Sequence, residues 1–203
     1  RTNGRSGILF VNNYQDHAQT SDFHDVRFSL TSDDKEIVFP SNNGMTIKSG
    51  SCYAFTFNLD LSGVILEHTT AQYITRISTA DEMIFFFFAH NGIDPEFLID
   101  GELFYPDPQG SVLTRKTTND GKNIRIICLS RAESLDFYRI SLAGQDHAVI
   151  SRANLYSDGT NILFEMIDTD EVSARIIPAL EGGPEFFKVK TEMPRIIPDI
   201  ISR

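Results

Sequence analysis

The sequence predicts an all-β fold: antiparallel β-sandwich units with one short helix. Three observations predict it. Short apolar runs recur along the 203 residues, turn residues punctuate them, and a single segment carries a helix-start signal. Hydrophobic residues make up 41% and charged residues 23%, a globular composition too apolar for a disordered chain.

Taken in order, residues 7–14 read as a first strand around Ile8, Leu9, Phe10 and Val11. Residues 26–30 alternate, with Val26, Phe28 and Leu30 on one side and Arg27 and Ser29 on the other. Ile37, Val38 and Phe39 follow and stop at Pro40, which cannot donate to a ladder. Asn42-Asn43-Gly44 is expected as a turn built on positive φ. Strands are expected at residues 45–48, 52–59, 64–67 and 71–78, with Ser62-Gly63 turning the chain between the middle two.

Residues 83–89 are expected at the centre. Four consecutive phenylalanines, Phe85 to Phe88, cannot alternate in and out of water, so both faces of that strand should be covered. Asn91-Gly92 and Asp100-Gly101 suit tight turns on either side of residues 96–99. Residues 123–129 form another apolar run after Asp120-Gly121. Ser130-Arg131-Ala132-Glu133 matches a capping box, which predicts a helix over about residues 131–138. Strands at 148–150, 153–156, 162–167 and 173–177 complete the series.

Residues 103–118 are rich in Pro, Gly and polar side chains and suit a boundary. The expected division is a β-sandwich over residues 1–118, a second small β unit with the short helix over 119–180, and a tail or start of a further domain over 181–203. The chain opens on Arg1 without a Met, which reads as a boundary inside a longer protein. A secreted or periplasmic parent is the expectation, although nothing in the chain fixes a compartment.

The net charge of -10 argues against nucleic acid, whose phosphates need a basic face. No apolar stretch approaches the roughly 20 residues of a membrane helix, so no membrane partner is expected. Cys52 and Cys128 match no metal spacing and read as two buried free thiols, a long-range disulfide being the alternative. A Gly-x-Ser-x-Gly elbow, a Gly-rich phosphate loop and a CxxC pair are all missing, so no cofactor is expected.

Three constellations bear on chemistry. Asp16, His17, Asp22, His24 and Asp25 crowd one loop and carry metal-ligand chemistry. They meet no known ligand spacing, so a polar surface loop is expected and a metal is not. Asp94, Glu96, Asp100 and Glu102 contain the carboxyls a glycosidase needs, but a solvated face around two turns is the preferred reading. Asn12, Asn13, Tyr14 and Gln15 end the first strand, where amides and an aromatic ring could hold a sugar. Against that, they could cap the sheet edge or contact a neighbouring domain. The second reading is preferred because the chain has no Trp, the strongest stacking surface.

Several stretches also resemble one family. Ser6-Gly7-Ile8-Leu9-Phe10-Val11-Asn12-Asn13-Tyr14-Gln15 is similar to the first strand of the domain that follows the catalytic barrel in glycoside hydrolase family 35 β-galactosidases. Phe57-Asn58-Leu59-Asp60-Leu61-Ser62-Gly63-Val64 resembles its apolar-Asp-apolar-Gly turn. Thr70-Ala71-Gln72-Tyr73-Ile74-Thr75-Arg76 and Phe86-Phe87-Phe88-Ala89 resemble the next two strands. Ile126-Ile127-Cys128-Leu129-Ser130-Arg131-Ala132-Glu133-Ser134-Leu135 is similar to the strand-to-helix step that ends this portion. Asn154-Leu155-Tyr156-Ser157-Asp158-Gly159 is similar to the opening hairpin of the small sandwich that follows. The likeness spans roughly residues 6–178 and rests on order and spacing, since the residues are mostly core and turn types.

This resemblance implies a parent enzyme acting on terminal galactosides, with its two catalytic glutamates on a preceding (β/α)₈ barrel. Neither glutamate corresponds to a position here. The implied role is a non-catalytic domain, not an enzyme by itself, whose partner is the catalytic barrel of the same polypeptide. The alternative is a carbohydrate-binding module for galactose-containing glycans, displaying Tyr14, Tyr53 or Tyr73 on a concave face.

Overall fold

The computed structural model describes residues 2–3, 6–32, 35–116, 121–165 and 171–182. Chain order begins with β1 (Thr2–Asn3), β2 (Ser6–Asn12), β3 (Phe23–Val26), β4 (Phe28–Ser32), β5 (Lys35–Phe39) and β6 (Met45–Ile47). It continues with β7 (Cys52–Asp60), β8 (Ile65–Thr69), β9 (Gln72–Ser78), β10 (Glu82–Phe88), β11 (Phe97–Ile99), β12 (Glu102–Phe104) and β13 (Ser111–Lys116). Then come β14 (Asn123–Leu129), α1 (Arg131–Leu135), β15 (Phe137–Leu142), β16 (Gln145–Ile150), β17 (Asn154–Ser157), β18 (Ile162–Glu165) and β19 (Arg175–Ile177). The protein is an all-β assembly of several sheets with one short helix among the described residues.

Six strands form one sheet in the order β1-β2-β7-β8-β11-β12, and four form a second in the order β13-β14-β10-β9. A third sheet has the order β15-β16-β19, and β3-β6, β4-β5 and β17-β18 are separate pairs. Pairing among the described strands is antiparallel except between β10 and β14, which run parallel from Glu82↔Asn123 to Phe88↔Leu129. Parallel neighbours need a long crossover, and the chain between these two contains β11, β12 and β13. β13 and β14 lie on either side of the expected boundary at residue 118 and pair within one sheet. The expected unit 181–203 falls, from residue 183 onward, outside the described residues.

β10 is covered on both faces, as its phenylalanine run requires. Phe85 and Phe87 enter a cluster with Leu66, Phe97, Ile99, Ile124 and Ile126, which joins the two large sheets. Ile84, Phe86 and Phe88 enter another with Ile77, Ile127, Leu129, Ala148, Ile150 and Ile177, which joins β10 to the third sheet. A third cluster, Phe39, Met45, Ile47, Tyr53, Phe55 and Ile93, lies under the β4-β5 and β3-β6 pairs.

Four local departures from expectation have physical causes. The strand expected over residues 26–30 is divided at Arg27, whose guanidinium donates to the Pro40 and Ser41 carbonyls (3.2 and 2.9 Å) while β3 and β4 take different partners. The capping box forms as expected, with Ser130 accepting from the Glu133 amide and Glu133 accepting from the Ser130 amide. The helix nevertheless ends at Leu135. Phe137 and Tyr138 join β15 instead, where Phe137 packs on Phe86 and pairs with Ile150. Gly44 has no positive φ; a side chain there would press on the backbone of Asp25, so close approach explains the glycine. Cys52 is exposed, because it stands opposite Asn12 on the outward row of β7, whereas Cys128 is buried; both thiols are free.

Gly110 immediately precedes β13, with φ of 80° and its Cβ position against the Cys128 carbonyl. Gly110→Ala combines a left-handed backbone with that overlap, so a loss of about 1–3 kcal/mol is expected in urea unfolding. A neutral result would contradict the close approach of Gly110 to the Cys128 carbonyl.

Candidate functional site

The end of β2 and its following loop hold the residues singled out as a sugar site. Asn13 is buried, and its amide nitrogen donates to the carbonyls of Ser21 (2.9 Å), Ile47 (3.3 Å) and Lys48 (3.0 Å). Its carbonyl accepts from the Gly50 amide and from the Thr20 hydroxyl (2.9 and 2.8 Å). The side chain therefore ties three chain segments together. Asn12 accepts from the Tyr14 amide and the Cys52 thiol. Tyr14 is 55% exposed, and Gln15 is exposed beside it.

The neighbouring acidic loop is spread out. Asp22 accepts from the Lys48 ammonium and the Ser49 amide, both at 2.8 Å, and these contacts hold its carboxyl below the usual carboxylate range. His17 lies 3.3 Å from Asp16 in full solvent, and His24 meets Thr46. Among the described residues no three His, Cys, Asp or Glu side chains gather where a metal could be held.

The four carboxylates of the second constellation occupy different settings. Asp100 accepts from the Ile65 amide (3.1 Å), and Asp94 contributes its carbonyl to the Thr70 hydroxyl. Glu102 is exposed, whereas Glu96 is buried. Glu96 accepts from the Ser41 amide (2.6 Å) and lies 3.7 Å from His68 Nε2, which also meets the Ser41 hydroxyl at 3.2 Å. His68 is 1% exposed, and its Nδ1 has no hydrogen-bond partner. Burial pushes its pKa down to about 4, so the ring is neutral at pH 7. Both oxygens address the same ring nitrogen, so no relay from carboxylate through imidazole to hydroxyl exists here. The cluster instead locks the turn after β5 onto β8.

His68 was not legible as a site residue in the sequence, and the same holds for His90. The His90 ring lies edge-on to Tyr53, Phe55 and Phe88 at 4.8, 5.9 and 5.0 Å, with Nε2 unpartnered. Burial, then the Arg131 charge, lowers its pKa to about 4. Of the three tyrosines expected on a sugar-binding face, only Tyr14 is open. Tyr53 is 4% exposed because it packs on Phe55, and Tyr73 is half-buried against Phe87. Burial and the nearby Glu133 push the Cys128 thiol up to about 12, which leaves it unreactive.

A different surface is exposed and apolar. β2 alternates, sending Leu9 and Val11 into the third cluster and Ile8, Phe10 and Asn12 outward. Phe10 is 64% and Ile8 38% exposed, and Ala54 stands opposite Phe10 on β7. Compared with known proteins, the chain matches no family model and no curated protein.

Proposed function

We propose that this chain is a non-catalytic β module of a β-galactosidase-like glycoside hydrolase, seated against a (β/α)₈ catalytic barrel in the same polypeptide. The observation that carries the reading is the outward row of β2, where Ile8 and Phe10 stand side by side in solvent above a rigid loop. Fully burying an exposed apolar side chain contributes about 1.5–3 kcal/mol, and Phe10 and Ile8 have 64% and 38% of their surfaces left to cover. The Asn13 and Asp22 contacts fix the adjoining loop, so the row is presented on a firm edge.

Phe10→Glu in the parent polypeptide is the test. Its β-galactosidase activity should be lost at a lower temperature than in the unaltered parent. The isolated chain should change by less than about 0.5 kcal/mol, because the residue is at its surface. Equal heat resistance of the two parent proteins would remove the support for docking through this row.

One observation favours a second reading, a carbohydrate-binding module: Tyr14 and Gln15 are open to solvent at the end of β2. Calorimetry with galactose-containing oligosaccharides decides between them. Heat that disappears in Tyr14→Ala supports the module, and no heat across the panel retires it.

A further inference from the structure

β9 is the edge strand of the four-stranded sheet, and β16 lies against it. Between them opens a cleft of about 310 Å³ lined by Arg76, Ser78, Arg139, Gly144, Gln145 and Asp146. The size is at the lower end of small-molecule sites and suits a single sugar unit.

Its polar groups are arranged rather than scattered. Arg139 donates through Nε and Nη2 to Asp146 Oδ2, and through Nη1 to the Thr75 hydroxyl at 3.0 Å. Those bonds hold the guanidinium in place and engage three of its five N–H groups. Gln145 Nε2 donates to the Ser78 carbonyl (3.1 Å) and the Asp146 carbonyl (2.9 Å), which turns its amide oxygen into a spare acceptor. The Lys122 ammonium donates to the Ser78 hydroxyl at 3.0 Å and to the Thr79 carbonyl at 2.8 Å, which holds Ser78 of the lining in place.

Arg76 stands apart. It is exposed, and its backbone pairs with Phe85 in the β9-β10 ladder while its side chain makes no hydrogen bond or ion pair with another described residue. Arg76 and Arg139 both line this one cleft. The cleft lining sets two cations, Arg76 and Arg139, against one carboxylate, Asp146, in a chain of net charge -10. A cleft with an excess of cations attracts an anion, and guanidinium matches a carboxylate or sulfate edge in two parallel bonds.

We infer that this cleft binds an oxyanion carried on a sugar, a uronate carboxylate or a sulfate ester, with Arg76 as its main partner and Arg139 as the second. That the carrier is a sugar rests on the glycoside-hydrolase reading; the oxyanion does not. The Gln145 amide oxygen serves as acceptor for a ring hydroxyl.

Calorimetry on the 203-residue chain at low salt tests this with four probes: galacturonate, galactose 6-sulfate, neutral galactose and inorganic sulfate. At least one acidic sugar should bind, galactose should not, and Arg76→Ala should weaken binding about tenfold or more with an unchanged melting temperature. Affinity should also fall as salt rises. Absence of binding by both acidic sugars, or undiminished binding by Arg76→Ala, would overturn the site. Inorganic sulfate binding as tightly as either acidic sugar would overturn the sugar assignment. None of these outcomes bears on docking through Phe10, which the parent polypeptide tests separately.

Discussion

Replacing Phe87 by alanine is expected to lower the unfolding free energy by about 3–5 kcal/mol, the range for a large ring removed from a packed core. Phe87 is fully buried at the contact between the two large sheets. Its ring meets Tyr73 and Phe97 edge-on at 5.4 and 5.3 Å, so the substitution removes aromatic contacts as well as apolar burial. Urea unfolding reads the effect directly. Domains of this kind are stable by about 5–15 kcal/mol, so such a loss leaves many of them partly unfolded at 37 °C. A cost below about 1 kcal/mol would mean that β10 is not enclosed on this face.

Stability is expected to fall as pH drops from about 6.5 toward 4. His68 and His90 have pKa values of about 4 in the folded chain, against an ordinary value of 6.5. Between those values the unfolded chain binds protons that the folded chain refuses, so acid favours unfolding. Above the unfolded value the contribution is fully present and constant. For His68, almost completely buried, a shift of that size corresponds to about 3 kcal/mol; the effect of the less enclosed His90 is smaller. Carboxyls with lowered values, Asp22, Glu133 and Asp158, begin to lose their contributions only near their ordinary values of 3.8 to 4.5, at the acid end of the histidine window. Melting temperatures should therefore decline from pH 7 to pH 4.5. His90→Phe should flatten part of that decline, since Phe suits the aromatic surroundings and carries no titrating nitrogen. A melting temperature constant between pH 7 and pH 5 would contradict the burial of both rings.

The sheet pattern was legible where the residues leave no alternative. Four phenylalanines in a row demand two covered faces, and β10 has them. The start of α1 was legible because a capping box is local, written in four consecutive residues. Its end was not, since Phe137 is drawn into a strand by Phe86 and Ile150, far away in sequence. The parallel pairing of β10 with β14 is equally a product of long-range packing.

Site residues follow the same division. An Asn near a strand end reads alike whether it awaits a sugar or clamps a loop. Asn13 clamps one, and its carbonyl partners at Ile47 and Lys48 lie 34 and 35 positions away. His68 sits between Glu67 and Thr69 in a strand whose alternation gives no sign that the turn at Ser41 closes over it. Arg139 reaches Thr75 across 64 positions, so its place in one cleft with Arg76 had no sequence signal. Glu96 was visible as a carboxylate but not as a buried one.

The central claim, that these sheets support chemistry located elsewhere in the polypeptide, is tested most directly by incubating the 203-residue chain alone with a chromogenic β-galactoside. The account predicts release of chromophore no faster than in buffer at every chain concentration. Turnover that rises in proportion to the chain, and that disappears in Glu96→Gln, would contradict it.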